Sequence, residues 1–417
     1  MSAPYGLIGR KLGHSYSKII HESLGGYAYD LIELEPDAVG DFLRRGDFRG
    51  LNVTIPYKQT VIPFCARLSA SAQRIGAVNT LYFAPDGALC GDNTDYYGFA
   101  QMLARAGIEI SGRKVLLLGG GGTSLTARAV LADLGAREIV PVSRTGAVNY
   151  ENVYEHADAN VVVNTTPVGM FPRNGERLLD LERLPRLESA VDVIYNPEKT
   201  RLLLDAAARG LKTAGGITML VLQAVRAAEI FLGAARGETC ALPLEAVTRA
   251  LRGVTAQTRN LVLVGMPGCG KSTVGKILAE HLGRELLDTD ELAARAAGRP
   301  VPEIINAEGE AAFREIEARA VADAGKQSGK IIATGGGAVL RADNRDALRQ
   351  NAAVVYLRRP LAELATSGRP LSRGGDALAE LLHAREPLYR ECADFTVDNS
   401  GKTADAAAAE IISAFNG

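Results

Sequence analysis

Two glycine-rich loops, each directly after a short apolar run, constrain this chain more than any other feature, because they differ in kind. Gly119-Gly120-Gly121-Gly122-Thr123 follows the Val-Leu-Leu-Leu run at 115–118. Gly265-Met266-Pro267-Gly268-Cys269-Gly270-Lys271-Ser272-Thr273 follows Leu-Val-Leu-Val at 261–264. A strand, a glycine turn and a helix start together present backbone N–H groups and a positive helix end to an anion. Only the second loop adds a lysine for terminal phosphates and a hydroxyl for Mg²⁺. It reads as a nucleoside triphosphate loop in which Gly268, Cys269, Gly270, Lys271, Ser272 and Thr273 bind the nucleotide and Ser272 meets the metal. The first loop, Gly119 to Gly122 with Thr123, suits the pyrophosphate of a dinucleotide. One chain is therefore expected to hold a redox site followed by a phosphotransfer site.

At 417 residues the chain has room for two or three cores. Lys+Arg 47 against Asp+Glu 48 leaves a net charge of −1, which offers no basic field to nucleic acid or an anionic membrane. Cys65, Cys90, Cys240, Cys269 and Cys392 are scattered without a CxxC pair. That argues against a disulfide framework or a zinc site and fits a reducing cytoplasm. The N-terminus enters a strand-like segment without a basic-then-apolar leader. The greasiest stretch, 217–235, is broken by Gln223, Arg226 and Glu229 and reads as a buried helix, not a membrane span. A soluble, cytoplasmic protein is expected.

Short apolar strands alternate with helical stretches throughout, which predicts an α/β fold. Residues 1–100 form one α/β lobe, with strands at 5–8, 29–33, 50–55 and 77–83. Residues 101–215 form a Rossmann-type lobe, with strands at 114–118, 138–142, 160–164 and 190–194. The helix 217–236 returns to the first lobe, and 237–258 reads as a terminal helix plus linker. From 259 to 417 the pattern restarts as a P-loop α/β/α domain with a parallel sheet, with strands at 261–264, 284–287, 330–334, 353–357 and 394–397.

Four motifs converge in the first lobe. Gly13-His14-Ser15-Tyr16-Ser17 sets two hydroxyls on one side of an extended segment. Asn52-Val53-Thr54-Ile55-Pro56-Tyr57-Lys58 puts Asn52 and Thr54 on one side of a strand end and projects Lys58 from the turn. Asn79 adds an amide and Asp92-Asn93-Thr94-Asp95 a carboxylate. Singly these have bland readings: Lys58 as a solvated cation, 93–95 as a helix cap, His14 as a packing residue of its turn. As an ordered set ahead of a dinucleotide loop, they resemble shikimate dehydrogenase, from about Tyr5 to Gly237.

The resemblance implies a substrate with a carboxylate, hydroxyls and one ring ketone. Ser15, Ser17, Asn52, Thr54, Asn79, Tyr195 and Gln223 are then substrate-binding. Lys58 and Asp95 are then the catalytic pair: the ammonium stabilises and protonates the developing oxyanion while the carboxylate orients it. Segments 164–170 and 193–195 match the nicotinamide side of the family, and 215–220 with Gln223 the segment returning to substrate. Met219 fits plain core equally well. Gly216 and the strand end Ser143-Arg144-Thr145 complete the cofactor set. No acidic residue for a ribose diol stands there, and Arg144 offers a cation to a 2′-phosphate, so NADP(H) is expected. The chain departs from the family at Lys18, where proline is usual, and in lacking a second basic residue after Arg144. The stretch from Arg144 to Asn164 is also too short for the family's usual helix.

In the last domain, Asp288-Thr289-Asp290 ends the second strand with two carboxylates. Arg314 and Glu317 stand three apart on a helix. Thr334-Gly335-Gly336-Gly337 brings bare backbone to a ligand, and Gly368-Arg369-Pro370-Leu371 and Arg385 follow. With the P-loop this arrangement resembles shikimate kinase from Asn260 onward. The resemblance implies ATP and Mg²⁺, with Ser272 and Asp288 at the metal and Asp290 on the acceptor's hydroxyls as base. Gly335 to Gly337 then lie on the acceptor, and Arg314 and Arg385 clamp its carboxylate. Arg369 on a lid would neutralise transition-state charge. The bland reading of Arg314 and Glu317 is a surface ion pair. Together the two halves imply reduction of 3-dehydroshikimate to shikimate and its phosphorylation to shikimate 3-phosphate. Two other readings stand beside this: an NAD-dependent quinate/shikimate dehydrogenase in the first half, or a non-catalytic ligand-binding module in either half.

Overall fold

The computed structural model describes residues 5–13, 15–364 and 375–416. His14 and the lid 368–371 with Arg369 lie outside the described residues. Three sheets follow one another along the chain. The first contains β1 (Tyr5–Gly9), β2 (Tyr29–Glu33), β3 (Gly50–Val53), β4 (Arg67–Leu68), β5 (Thr80–Phe83) and β6 (Leu89–Asp92), in the order β2-β1-β3-β5-β6-β4. It is mixed: β1 is parallel to β2 and β3, while β5 runs antiparallel to both β3 and β6.

The second sheet contains β7 (Lys114–Leu118), β8 (Glu138–Val142), β9 (Val161–Asn164), β10 (Ser189–Asp192) and β11 (Lys212–Gly215). It is wholly parallel, in the order β11-β10-β9-β7-β8. The third, also parallel, contains β12 (Asn260–Val264), β13 (Leu286–Asp288), β14 (Ile331–Ala333), β15 (Ala352–Arg358) and β16 (Phe395–Asp398), in the order β13-β14-β12-β15-β16. In each parallel sheet the glycine loop follows an inner strand, β7 or β12, whose five residues are all buried. Continuous Val/Leu runs suit such strands because helices cover both faces.

The chain divides into two compact units. One comprises 1–168, 177–195 and 202–255; the other comprises 169–176, 196–201 and 256–417. Residues 101–215 are thus not one continuous body. Lys199 N–H donates to the Gln350 carbonyl at 2.8 Å, Glu198 pairs with Arg259, and Arg201 pairs with Asp346. These contacts draw the short segments into the C-terminal unit.

In the first unit the helix Gly216–Arg236 returns to the first sheet as its core helix. Val221, Leu222, Ala224, Val225 and Ala228 are buried with Ile20 and Leu24, and Met219 packs among Phe99, Met102 and Leu103. Its residues 216–234 are long and apolar enough to cross a membrane, yet 61% of that span is buried. Where 237–258 predicts a helix plus linker, the helix Leu244–Thr258 continues until Arg259 alone separates it from β12. Between β8 and β9 there is only a 3₁₀ turn, Val153–His156, in keeping with the short spacing there.

Candidate active sites

The first site gathers where the first sheet meets the helix Thr94–Arg105. Asn93 caps that helix, its side-chain oxygen accepting from Tyr96 N–H at 3.2 Å, so the bland reading of 93–95 as a cap holds for Asn93. The cap also sets Asp95 in the first helical turn, where the helix dipole favours a carboxylate. Lys58, from the turn after β3, brings its Nζ to 2.5 Å from Asp95 Oδ2. Both side chains are mostly shielded, at 18% and 10% exposure.

A buried amide network stands beside this pair. Asn79 Oδ1 accepts from Thr94 N–H at 2.7 Å, and its Nδ2 donates to Thr94 Oγ1 at 3.1 Å and Gln223 Oε1 at 3.4 Å. Gln223 Nε2 donates to the Leu220 carbonyl. Ser15 and Ser17 are joined locally, Ser17 N–H donating to Ser15 Oγ at 3.3 Å, and Ser17 is buried. Thr54 is half-buried, its N–H held by the Ile8 carbonyl. Tyr195 packs on Tyr16 with ring centroids 5.3 Å apart, and burial pushes its phenol up to about 12.

Asn52 takes a different role from the one its motif predicts. Its Oδ1 accepts from Tyr29 Oη at 2.7 Å, and its Nδ2 donates to the Asn79 carbonyl and Thr80 Oγ1. With these groups engaged and 4% exposure, Asn52 supports Asn79 from behind. Thr80 and Thr94 share the network, their hydroxyls 3.1 Å apart. The Thr80 side chain was not singled out by the sequence, because a threonine in a strand ordinarily signals only β propensity.

At the dinucleotide loop, a Cβ built on Gly120, Gly121 or Gly122 meets nothing within 4 Å, so open space lies over the start of the helix Gly122–Asp133. Ser124, standing where the third fingerprint glycine is usual, donates its hydroxyl to the Gly119 carbonyl at 2.9 Å and closes the loop from within. Arg144 and Thr145 are exposed at the end of β8 with Ser143 half-buried, and Arg144 has no ion-pair partner among the described residues. The turn after β9 is held by Asn164, whose Nδ2 lies 3.1 Å from both Asp192 carboxylate oxygens. Gly216 serves packing: a Cβ there would lie 2.1 Å from the Val193 carbonyl. An open loop, a helix N-terminus and an available cation fit the dinucleotide's phosphates.

The second site is a cleft of about 500 Å³. Lys271, Ser272, Asp288, Asp290, Arg314 and Arg385 all line it, together with Gly335 to Gly337. Lys271 Nζ rests on the Gly265 and Met266 carbonyls at 2.8 and 2.9 Å. Cys269 is fully buried, so its contribution is backbone alone. Ser272 Oγ donates to Asp288 Oδ2 at 2.8 Å, and the neighbouring Asp288 oxygen caps the next helix through Asp290 N–H. A hydroxyl and a carboxylate at the phosphate loop are a hard oxygen pair suited to Mg²⁺.

Arg314 and Glu317 are not a surface pair. Glu317 is 1% exposed, with Arg314 Nη1 donating to its Oε2 at 2.7 Å. The Glu317 Oε1 has no partner among the described residues and lies beside Gly335. Two glycines lie directly against the ends of charged side chains. A Cβ on Gly335 would sit 2.4 Å from Asp290 Oδ1, and one on Gly337 would sit 2.4 Å from both terminal nitrogens of Arg314. Arg385 donates to the Gly336 carbonyl at 3.2 Å. Burial pushes the Asp290 carboxyl up to about 6, with Asp288 and Glu317 adding to the rise and Lys271 and Arg314 opposing it.

Sequence reading missed the apolar wall of this cleft. Val301, Pro302 and Ile305 supply it from the helix Val301–Gly325, and Phe313 adds to it. Their i, i+4 spacing was available as a signal but is shared with any core-facing helix.

A parallel sheet with a dinucleotide loop, following a lobe that pairs a lysine with an aspartate, defines a nicotinamide-linked oxidoreductase. A phosphate loop with an adjoining carboxylate and arginine cleft defines a phosphotransferase. Residues 7–81 match the model of the shikimate dehydrogenase substrate binding domain, and residues 267–416 match the shikimate kinase model. A shikimate dehydrogenase (NADP(+)) from Clostridium beijerinckii is 38% identical over 247 residues, covering 54% of this chain and 91% of that protein. A chorismate mutase/shikimate 5-dehydrogenase fusion protein from Clostridium acetobutylicum is 34% identical with a TM-score of 0.56, covering 60% of this chain and 96% of that one. The Thermus thermophilus shikimate 5-dehydrogenase, solved with NADP(H) and shikimate, is 29% identical with a TM-score of 0.52, covering 60% and 99%. The chain belongs to the shikimate dehydrogenase family through its N-terminal half, joined to a C-terminal shikimate kinase domain.

Proposed function

We propose that the N-terminal unit reduces 3-dehydroshikimate to shikimate with NADPH, and that the C-terminal unit transfers the terminal phosphoryl group of ATP to shikimate. In the first site NADPH, when bound, supplies the hydride. Lys58 stabilises the ketone oxygen as charge builds on it and delivers the proton, and Asp95 holds the ammonium in place and accepts from a substrate hydroxyl. Ser15, Ser17, Thr54, Asn79, Tyr195 and Gln223 bind the remaining polar groups of the substrate. Gly119 to Gly122, Thr123, Ser143, Arg144 and Thr145 bind NADP(H), with Arg144 on the 2′-phosphate. The observation that carries this half is the 2.5 Å contact between Lys58 and Asp95.

In the second site ATP, with Mg²⁺, supplies the phosphoryl group. Lys271 leaves its loop carbonyls to meet the terminal phosphates, while Ser272 and Asp288 hold the metal. Arg314 and Arg385 clamp the acceptor carboxylate, and Asp290 takes the hydroxyl proton. Placement in the cytoplasm accords with the free cysteines, which a reducing compartment keeps as thiols.

Supplying the purified chain with 3-dehydroshikimate and NADPH, then with shikimate and Mg²⁺-ATP, tests both halves through NADPH oxidation and ADP release. Turnover of neither substrate would sink the reading. Faster initial rates with NADH than with NADPH would favour the NAD-dependent alternative. Arg144→Ala is expected to raise KM for NADPH about tenfold, the lower end of a charge-assisted phosphate contact.

A further inference from the structure

Arg359 lines the kinase cleft although no motif singled it out. Its position follows from strand order. β13 and β14 lie on one side of β12 and carry Asp288 at a strand end and the 335–337 glycines beyond, the acceptor side. β15 and β16 lie on the other side, and Arg359 is the first residue past β15. The phosphate loop rests on that strand end: a Cβ on Gly265 would sit 2.5 Å from the Leu357 carbonyl. Asn399, just past β16, binds both parts, its Nδ2 donating to the Cys269 carbonyl at 3.0 Å and its N–H to the Arg358 carbonyl at 2.8 Å.

Arg359 is held only lightly. Its Nε lies 3.3 Å from Glu363 Oε2, in a pair 29% and 37% exposed. The same carboxylate oxygen accepts from Gly401 N–H at 3.2 Å, so Glu363 keeps a partner if the guanidinium leaves. A partly exposed ion pair of this kind holds its guanidinium weakly. A polyphosphate offers a guanidinium more charge and a bidentate acceptor.

We propose that Arg359 is a nucleotide-binding residue whose guanidinium moves from Glu363 to the phosphate chain of ATP, on the side of the loop away from Asp290. The proposal rests on the kinase reading in taking ATP as the ligand. It adds a second described cation to Lys271, and its effect falls on the nucleotide and not on the acceptor.

Calorimetric titration of the full-length protein with Mg²⁺ and a non-hydrolysable ATP analogue provides the test. Arg359→Ala is expected to weaken binding about tenfold, the lower end for a charge-assisted hydrogen bond at a partly exposed site. Arg359→Lys falls between, and Glu363→Gln binds as tightly as the parent or more so. KM for shikimate and the melting temperature stay unchanged in Arg359→Ala, which separates a binding role from a structural one. Parent-like affinity in Arg359→Ala, or an equal loss in KM for shikimate, overturns the proposal. A parent protein that binds the analogue but leaves shikimate unphosphorylated instead refutes the kinase reading and leaves the affinity comparison to judge Arg359.

Discussion

Lys58 and Asp95, 37 residues apart in the chain, meet with 2.5 Å between ammonium and carboxylate. One comes from a turn after a strand, the other from the first turn of a capped helix, so the pair exists only when both elements are docked. Lys58→Ala is expected to reduce dehydrogenase turnover by about 10²–10⁴, the range of a positioned proton donor. Kinase activity remains unchanged. Lys271→Ala produces the converse. NADPH oxidation and ADP release, measured on the same preparations, check the separation, and loss of both activities in either variant would refute two independent sites.

Gly337 touches Arg314 so closely that no side chain fits between them. Gly337→Ala is therefore expected to displace the guanidinium and raise KM for shikimate at least tenfold, with KM for ATP changing far less. Steady-state kinetics with each substrate varied in turn will show the split.

Asp290 keeps its proton to about pH 6 because burial penalises its charge. As a proton acceptor it must be ionised, so kinase kcat/KM is expected to fall about tenfold per pH unit below that value. Stability runs the other way. The folded state binds this proton more tightly than the unfolded chain, so the contribution is full below about pH 4 and lost as pH rises through about 6. Asp290→Asn should therefore stabilise the nucleotide-free, Mg²⁺-free protein at pH 8 by up to about 2–3 kcal/mol and change little near pH 4. Denaturant melts at the two values measure this.

His21 is fully buried, stacked on Tyr29 at 4.1 Å, with Nδ1 2.7 Å from Tyr27 Oη. Burial lowers its pKa to about 3, partly offset by Asn52. The unfolded chain accepts a proton near pH 6.5, which the folded one refuses. Stability present above that value is thus lost as pH falls toward 3, by about 1.4 kcal/mol per unit. His21→Phe keeps the ring stack and should flatten this slope, at a pH-independent cost of about 1 kcal/mol for the lost hydrogen bond. An unchanged slope would show that another group governs acid sensitivity.

Much of each site was legible because its residues stand in short local motifs. Asn93-Thr94-Asp95 is a cap and a carboxylate at once, and 268–273 is a loop whose chemistry depends on spacing. Asn52 shows the limit: its motif marks it as substrate-facing, whereas Tyr29, Asn79 and Thr80 engage its amide. Those partners come from β2, from the first residue of β5 and from the residue just before it, and no local pattern reports them. Strand pairing was also partly hidden. β4, β6 and β11 are short and carry polar or glycine residues, so their apolar signal is weak.

The order of residues alone determined that this chain builds α/β layers around two different phosphate loops, because periodicity and glycine spacing act within a few residues. Tertiary structure decided what those loops work with. Which carboxylate reaches Lys58, how deeply Glu317 is buried beneath Arg314, and which flank of the phosphate loop receives Arg359 depend on strand order and docking. These relations arise between segments distant in the chain, where burial and hydrogen-bond geometry, not local propensity, set the outcome.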